Sequence, residues 1–487
     1  MPVNFTPSSD DLLRFAPELV LTVAATMIMV LDPFFAKKSP RLFGHFSIVA
    51  LIVALFAAAG ANSVPGPAYS DLLVIDGFGT FFRILVIGIG ILAVLSSYRY
   101  LEREKAETSE FHALLLFSIV GQCVMVTAND LIMIFIGLEI SSIATYVLAG
   151  YLRDDKRNNE AALKYFLLGS FATAFFLYGV ALVYGITGST KLDQIRTVLA
   201  VPESDAFAMV SVAAALMFVG LAFKVSAAPF QIWAPDVYQG APAPVSAFMA
   251  TGPKAAAFAI FLRIFLTAFQ SVAGGWEPVI WISALLSMTI GNFAALTQSN
   301  LKRMLAYSSI AHAGYILVAL AARSEIGTAA AMFYLAGYAF MNIGAFAVVI
   351  HISGKGERNL KIDDLAGLSR RQPVTAAMMT VFLLSLIGVP LTGGFFGKFY
   401  IFRAALDSHL VWLTVLGLLN SAVAAYYYLR LLVVMYMHEP GEVANNVEPL
   451  GLGLRMALAL SAIGTFALGV VPGAVVSFAQ RSAMFVR

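Results

Sequence analysis

Apolar residues along this chain come in runs of about twenty, the length at which a helix crosses a bilayer, and polar residues gather in the short stretches between them. Fourteen such runs can be marked. The first six cover 15–36, 42–61, 79–98, 112–128, 131–150 and 160–186, and the next five cover 207–238, 244–270, 278–298, 303–322 and 326–352. The last three cover 374–406, 410–437 and 454–478. The pattern predicts an all-α polytopic membrane protein of about fourteen transmembrane helices.

Two of the runs are too long and too interrupted to be single helices. The seventh contains Pro229 and Pro235, with Pro242 and Pro244 just beyond, and the twelfth contains Gly388, Pro390, Gly393, Gly394 and Gly397. Proline removes a helical hydrogen bond and clashes with the preceding turn. Backbone groups freed at membrane depth persist only where protein or a wet cavity satisfies them. Paired broken helices in corresponding positions point to a transport site built from two repeats.

Basic residues collect in alternate loops. One set holds Lys37, Lys38 and Arg41, then Arg99, Arg103 and Lys105, then Arg153, Lys156 and Arg157. It continues with Lys302 and Arg303, then Lys355, Arg358, Lys361, Arg370 and Arg371, whereas the opposite loops hold only Lys191, Arg196, Arg323 and Arg403. The positive-inside rule makes the first set cytoplasmic and places both termini outside. Asp10 and Asp11 stand where a signal peptide carries its basic region, so no cleaved leader is expected.

Composition agrees. Of 487 residues 60% are hydrophobic and 12% charged, against roughly 25% charged in a soluble protein. A net charge of +3 gives no reason to expect nucleic acid as a partner. The single cysteine, Cys123, excludes an internal disulfide and a four-thiolate iron–sulfur cluster. With six histidines, no glycine-rich phosphate loop and no hydrolase motif, no metal or cofactor site is expected in this chain.

The sharpest chemical signal is charge inside the apolar runs. Glu139 lies in LIMIFIGLEISSIATYVLAG, Lys224 in FVGLAFKVSAAPF, Lys254 in ATGPKAAAFAIF and Lys398 in LTGGFFGKFYIF. Lys164, in NEAALKYFLLGSF, falls near the cytoplasmic end of the sixth run. Each charge at the bilayer centre costs about 2.5–3.5 kcal/mol on the insertion scale. Snorkelling can account for Lys164, Arg263 and Arg430 near span ends, but a carboxylate in mid-membrane has too short a stem. A structural Glu139–Lys224 ion pair is the plainer alternative, yet one carboxylate cannot neutralise three lysines. A buried lysine exchanges protons near neutrality only where desolvation and like charges disfavour its ammonium, and an excess of amines creates that condition. Glu139 precedes Lys224 by 85 residues and His312 precedes Lys398 by 86, a spacing that makes His312 the second-half counterpart of Glu139, unless it is a hydrogen-bonded structural histidine in SSIAHAGYILV.

These residues occur in strings that resemble a known family. NDLIMIFIGLEISSIATYVLAGY, NEAALKYFLLGSFATAFFLYGVALVYGITGST, KVSAAPFQIWAPDVYQGAPAPVSAF, NLKRMLAYSSIAHAGYILVALAA and GVPLTGGFFGKFYIF are similar to the antiporter-like, proton-channelling membrane subunits of respiratory complex I. Lysine at 398 and LKYFLLGSFATAFFLYG favour one sister subunit over the one with glutamate in the twelfth span. The resemblance implies two inverted five-helix repeats, each with a broken helix. They would occupy 112–270 and 271–437, after three N-terminal helices in 1–111 and before a last helix in 438–487. It implies a proton path through a Glu139–Lys224 ion pair, the bridging Lys254 and the exit-side Lys398, and matches Lys164 with a family lysine; the spacing adds His312 to that path, and the helix breaks fall at Pro229, Pro390, Gly393 and Gly394. It implies a cofactor-free subunit of a proton-translocating NADH:quinone oxidoreductase in the bacterial inner membrane. Its partners would be the sister antiporter-like and other membrane subunits of complex I and the lipid bilayer. NADH, FMN, iron–sulfur clusters and quinone would belong to other subunits. Gln231 stands where the family often has histidine, and an amide does not titrate. The alternative function is a subunit of a related cation/proton antiporter.

Overall fold

The computed structural model describes residues 7–35, 41–106, 108–200, 204–441, 443–444 and 448–486; Lys37 and Lys38 lie outside them. Thirteen helices among these residues are long and apolar enough to cross a membrane. The half-helices Pro373–Ile387 and Gly393–Asp407 add a broken crossing, which makes fourteen. In order, the first six spans are Ala16–Phe35, Arg41–Ala61, Gly77–Glu104, Ser109–Thr127, Leu131–Ala149 and Lys156–Thr187. The seventh is Ser204–Val225 followed by Trp233–Gly240, and the eighth is Ala243–Met249 followed by Gly252–Arg263. Next come Ala273–Leu296, Leu301–Ala321, Glu325–Ile352, the broken twelfth, Val411–Met437 and Leu452–Val470.

The eighth, tenth and eleventh spans are buried along 94% of their apolar windows. Helices apolar on every side belong in the middle of a bundle, and these three form its centre. The first, second, sixth and thirteenth spans, each 33–39% buried, face outward.

Several expected boundaries move, each for a local reason. The eighth run is interrupted at Ala250–Thr251 because Pro253, at the start of the second piece, cannot donate backward. The same span ends in a π-helical turn, Ile264–Ala268. The fourteenth stops at Val470 ahead of Pro472, and Gly473–Ser482 forms a separate short helix. A two-stranded hairpin, Gly66–Ala68 with Leu73–Ile75, and an amphipathic helix, Leu192–Leu199, fill loops where no element was expected.

Two isolated backbone bridges follow one spacing. Asp130 pairs with Lys191, and Asn300 pairs with Lys361, the same pattern displaced by 170 residues at both partners. Asp130 caps the fifth span and Asn300 caps the tenth, each accepting a backbone N–H of the first turn. The five crossings from the fifth span to the ninth place the two bridges at opposite ends of the bundle.

Candidate functional site

Each broken helix is held open by named partners. In the seventh span the chain leaves the helix at Ser226, which has φ 59°. The Ala228 N–H donates to Ser287 Oγ at 2.8 Å, and the Ser283 hydroxyl donates to the Ala228 carbonyl at 2.6 Å. The Trp233 indole N–H donates at 2.9 Å to the Phe223 carbonyl, which also accepts the Ser226 N–H at 3.0 Å. Pro229 lies inside this gap, and so does Gln231, whose buried Oε1 has no hydrogen-bond partner. In the twelfth span Gly388 at φ 96° ends the first half, Pro390 follows, and Gly393 opens the second half. Gly394 packs so closely that a Cβ there would lie 1.8 Å from the Ser385 carbonyl oxygen.

A lysine sits at each break. Lys224 occupies the last turn of the first half-helix of the seventh span. Its ammonium donates to Ser142 Oγ at 2.6 Å and to Tyr146 OH at 2.9 Å, 5.0 Å from the Tyr146 ring centroid. Lys398 reaches back from the second half of the twelfth span to the Leu386 and Ile387 carbonyls, at 3.1 and 2.9 Å, and to Ser421 Oγ at 2.8 Å. The C-terminal end of a helix carries partial negative charge and favours a cation. The first half of the twelfth span presents that end to the Lys398 ammonium.

Glu139 is not in contact with Lys224. Ser142 and Tyr146 lie three and seven residues beyond it on the same helical face, and they take the ammonium instead. Glu139 Oε1 is buried without a hydrogen-bond partner. The direct ion pair expected from the sequence is therefore absent in this conformation, with one helical turn separating carboxylate and ligand.

Lys254 lies at the centre, 1% exposed, and donates to Ser309 Oγ at 2.5 Å and to the Ser309 carbonyl at 3.0 Å. The hydroxyls of Tyr238 and Tyr338 face Ser309 without a partner in hydrogen-bond range. One turn on, buried His312 meets Tyr334 OH through Nδ1 at 2.5 Å and Tyr428 OH through Nε2 at 3.2 Å. Tyr428 also meets Ser308 at 2.5 Å. Tyr315, whose ring packs 5.7 Å from His312, lies 4.9 Å from Lys398 Nζ and closes the line. Glu139 and Ser309 are each nine residues past the bridged cap of their helix, and Ser142 and His312 are each twelve.

Lys164 lies apart from this line. It is half-exposed in a surface cavity, paired with Glu160 at 2.7 Å and with Asp236 at 3.0 Å, and Asp236 also binds Arg303 at 2.6 Å. Arg263, read as a snorkelling side chain, instead pairs with Asp76 at 2.9 Å. Sequence reasoning passed over the hydroxyls, although Ser142 and Tyr146 beside Glu139 and Ser309 beside His312 fall at helical spacing. It also missed two buried ion pairs, Glu18–Arg83 at 2.7 Å and Lys302–Glu357 at 2.7 Å, because their partners are far apart in the chain.

Residues 128–424 match the family described as NADH:quinone oxidoreductase/Mrp antiporter, transmembrane. Over 99% of both chains, 68% of residues are identical to NADH-quinone oxidoreductase subunit N 1 of Solibacter usitatus. Subunit N of Trichlorobacter lovleyi is 45% identical over 96% of both. Among solved structures, a chain of Thermus thermophilus respiratory complex I superposes with a TM-score of 0.81 at 35% identity, over 95% of this chain and 98% of that one. A chain of the archaeal membrane-bound sulfane sulfur reductase superposes at 0.86 with 27% identity, over 98% of each. The chain belongs to the NADH:quinone oxidoreductase/Mrp antiporter transmembrane family, among its subunit N members.

Proposed function

We propose that this chain is a proton-translocating membrane subunit of an NADH:quinone oxidoreductase, driven by redox chemistry in other subunits and holding no cofactor itself. NADH, FMN, iron–sulfur clusters and quinone act elsewhere in that complex, and the sister antiporter-like subunits are its membrane neighbours. The bacterial inner membrane is its site, with the basic loops cytoplasmic and the termini outside.

One observation carries this reading. Lys254, His312 and Lys398 lie buried and Lys224 half-buried from one helix break to the other, and the polar atoms next to them are chiefly serine and tyrosine hydroxyls. A hydroxyl donates and accepts at once, so it passes a proton on without holding charge. Buried polar atoms without a protein partner, such as Tyr238 OH and Glu139 Oε1, are satisfied by water, which extends the relay. Lys224 works between two stations. Near Glu139 its charged form is favoured, and near Ser142 and Tyr146 that support is weaker. Lys254 joins the halves, and Lys398 delivers outward. An axis lined by amines suits protons better than metal cations, which take oxygen ligands, and this favours the redox-driven pump over the cation/proton antiporter.

Lys254→Met keeps the apolar stem and deletes the titrating group. The assembled variant, reconstituted in vesicles, is expected to pump fewer protons per electron than the parent. An unchanged proton-to-electron ratio would refute the reading.

A further inference from the structure

At the end of the bundle that carries the basic loops, a cavity of about 360 Å3 is lined by Glu160, Lys164, Asp236, Arg303 and Glu357 among others. Glu357 forms part of its inner wall, only 8% exposed. Behind it Lys302, with no exposed surface, holds the carboxylate at 2.7 Å. The same carboxylate accepts the Tyr100 hydroxyl and the Ala243 N–H, each at 2.7 Å. Four segments thus meet at one acid: the third, eighth and tenth spans and the loop after the eleventh.

The loop is shaped to deliver that acid. Gly354 and Gly356 have φ 65° and 68°, and Glu357 itself has φ 50°, a left-handed conformation that ordinary side chains seldom adopt. Gly356 is gripped on both sides, its N–H donating to Glu104 at 2.9 Å and its carbonyl accepting from Arg157 at 3.0 Å. Inward, Lys302 and Ser309 lie on one face of the tenth span, seven residues and about 10 Å apart, and Ser309 holds Lys254. Lys302 also donates to the Ala241 carbonyl. Ser246, four residues on from Pro242, binds the carbonyl of Tyr238, whose orphaned hydroxyl faces Ser309.

Building on the proposed proton translocation, we infer that the Lys302–Glu357 pair is a proton entry to the central axis, between the aqueous cavity and Lys254. Lys302 gives a proton inward to the hydroxyl of Tyr238, which passes its own proton on by way of Ser309 to a neutral Lys254 amine. Lys302 thereby becomes the neutral amine and Lys254 the ammonium. The Glu357 carboxylate takes a replacement from hydronium or buffer in the cavity. Its O–H bond then breaks as the proton moves to the neutral Lys302 amine, and the ion pair is restored. One proton enters per cycle and nothing is oxidised or reduced.

Lys302→Arg separates a proton entry from a clasp that only ties four segments together. Arginine keeps the charge and the ion pair but does not release its proton. In the assembled complex, Lys302→Arg is expected to lower NADH-driven proton pumping several-fold. Glu357→Gln, which still accepts from Tyr100 and Ala243, is expected to do the same, and it carries the test if the arginine variant fails to assemble. Wild-type pumping in either assembled variant overturns the entry. If Lys254→Met abolishes pumping while Lys302→Arg does not, the entry alone is lost; wild-type pumping in both removes the translocation reading as well.

Discussion

Lys398 Nζ lies 2.9 Å from the carbonyl oxygen of Ile387, the last residue of the half-helix that precedes its own. A residue of the second half of the twelfth span thereby caps the first. Gly388 at φ 96° turns the chain so that the two halves face each other across the break. The ammonium rests on helix-end carbonyls and one serine, a site that stabilises a cation without an opposing carboxylate.

That arrangement makes Lys398 the place to separate charge from proton exchange. Lys398→Arg keeps the charge but stays protonated, so an assembled complex with impaired pumping is expected. Lys398→His should retain more activity than the arginine variant. Normal pumping by Lys398→Arg in reconstituted vesicles would reduce Lys398 to a fixed charge.

Glu139 stands one turn from the hydroxyl that holds Lys224. Glu139→Gln preserves shape and removes the charge that draws Lys224 back. Assembly is expected to be unaffected and pumping strongly cut; a mutant that pumps like the parent would show that the carboxylate plays no part in the cycle.

The two tyrosines on His312 offer a finer test. Tyr334→Phe and Tyr428→Phe each delete one hydroxyl next to the imidazole, at a stability cost of about 0.5–1.5 kcal/mol. The double variant is expected to assemble and to pump more slowly than either single one. Pumping unaffected by the double change would place the proton route elsewhere.

Gly394→Ala should act through packing. A Cβ 1.8 Å from the Ser385 carbonyl meets backbone, and overpacking of this kind costs about 1–3 kcal/mol or more. A lowered unfolding temperature of the detergent-solubilised protein is the expected result, and an unshifted one would mean that the break flexes freely.

Glu18 and Arg83 pair with no solvent exposure on either side chain. Removing one partner strands a buried charge, at about 3–5 kcal/mol. Glu18→Ala is therefore expected to destabilise strongly, while Glu18→Leu combined with Arg83→Met recovers most of the loss. Equal instability of the single and double variants would point to a role beyond pairing.

The sequence by itself determined the class, the crossings and the principal buried charges. Bilayer thickness imposes a minimum apolar run, and a charge within such a run is conspicuous wherever the helix goes. The breaks at Pro229 and at Gly388–Gly394 were legible too, because proline and glycine act on their own backbone. The interruption at Ala250–Thr251 was available in the same way, through Pro253.

Only the tertiary structure decided which groups meet. Ser142 and Tyr146, not Glu139, hold Lys224 because the ammonium arrives one turn farther along the fifth span. Lys302 reads as a loop charge yet has no exposed surface, because Glu357 reaches it from 55 residues away. Hydrogen bonds and ion pairs of this kind join atoms within about 3 Å, and chain distance carries no record of them. Apolar run length and backbone stereochemistry are local and can be read along the chain, whereas the choice of a buried group's partner is made by packing.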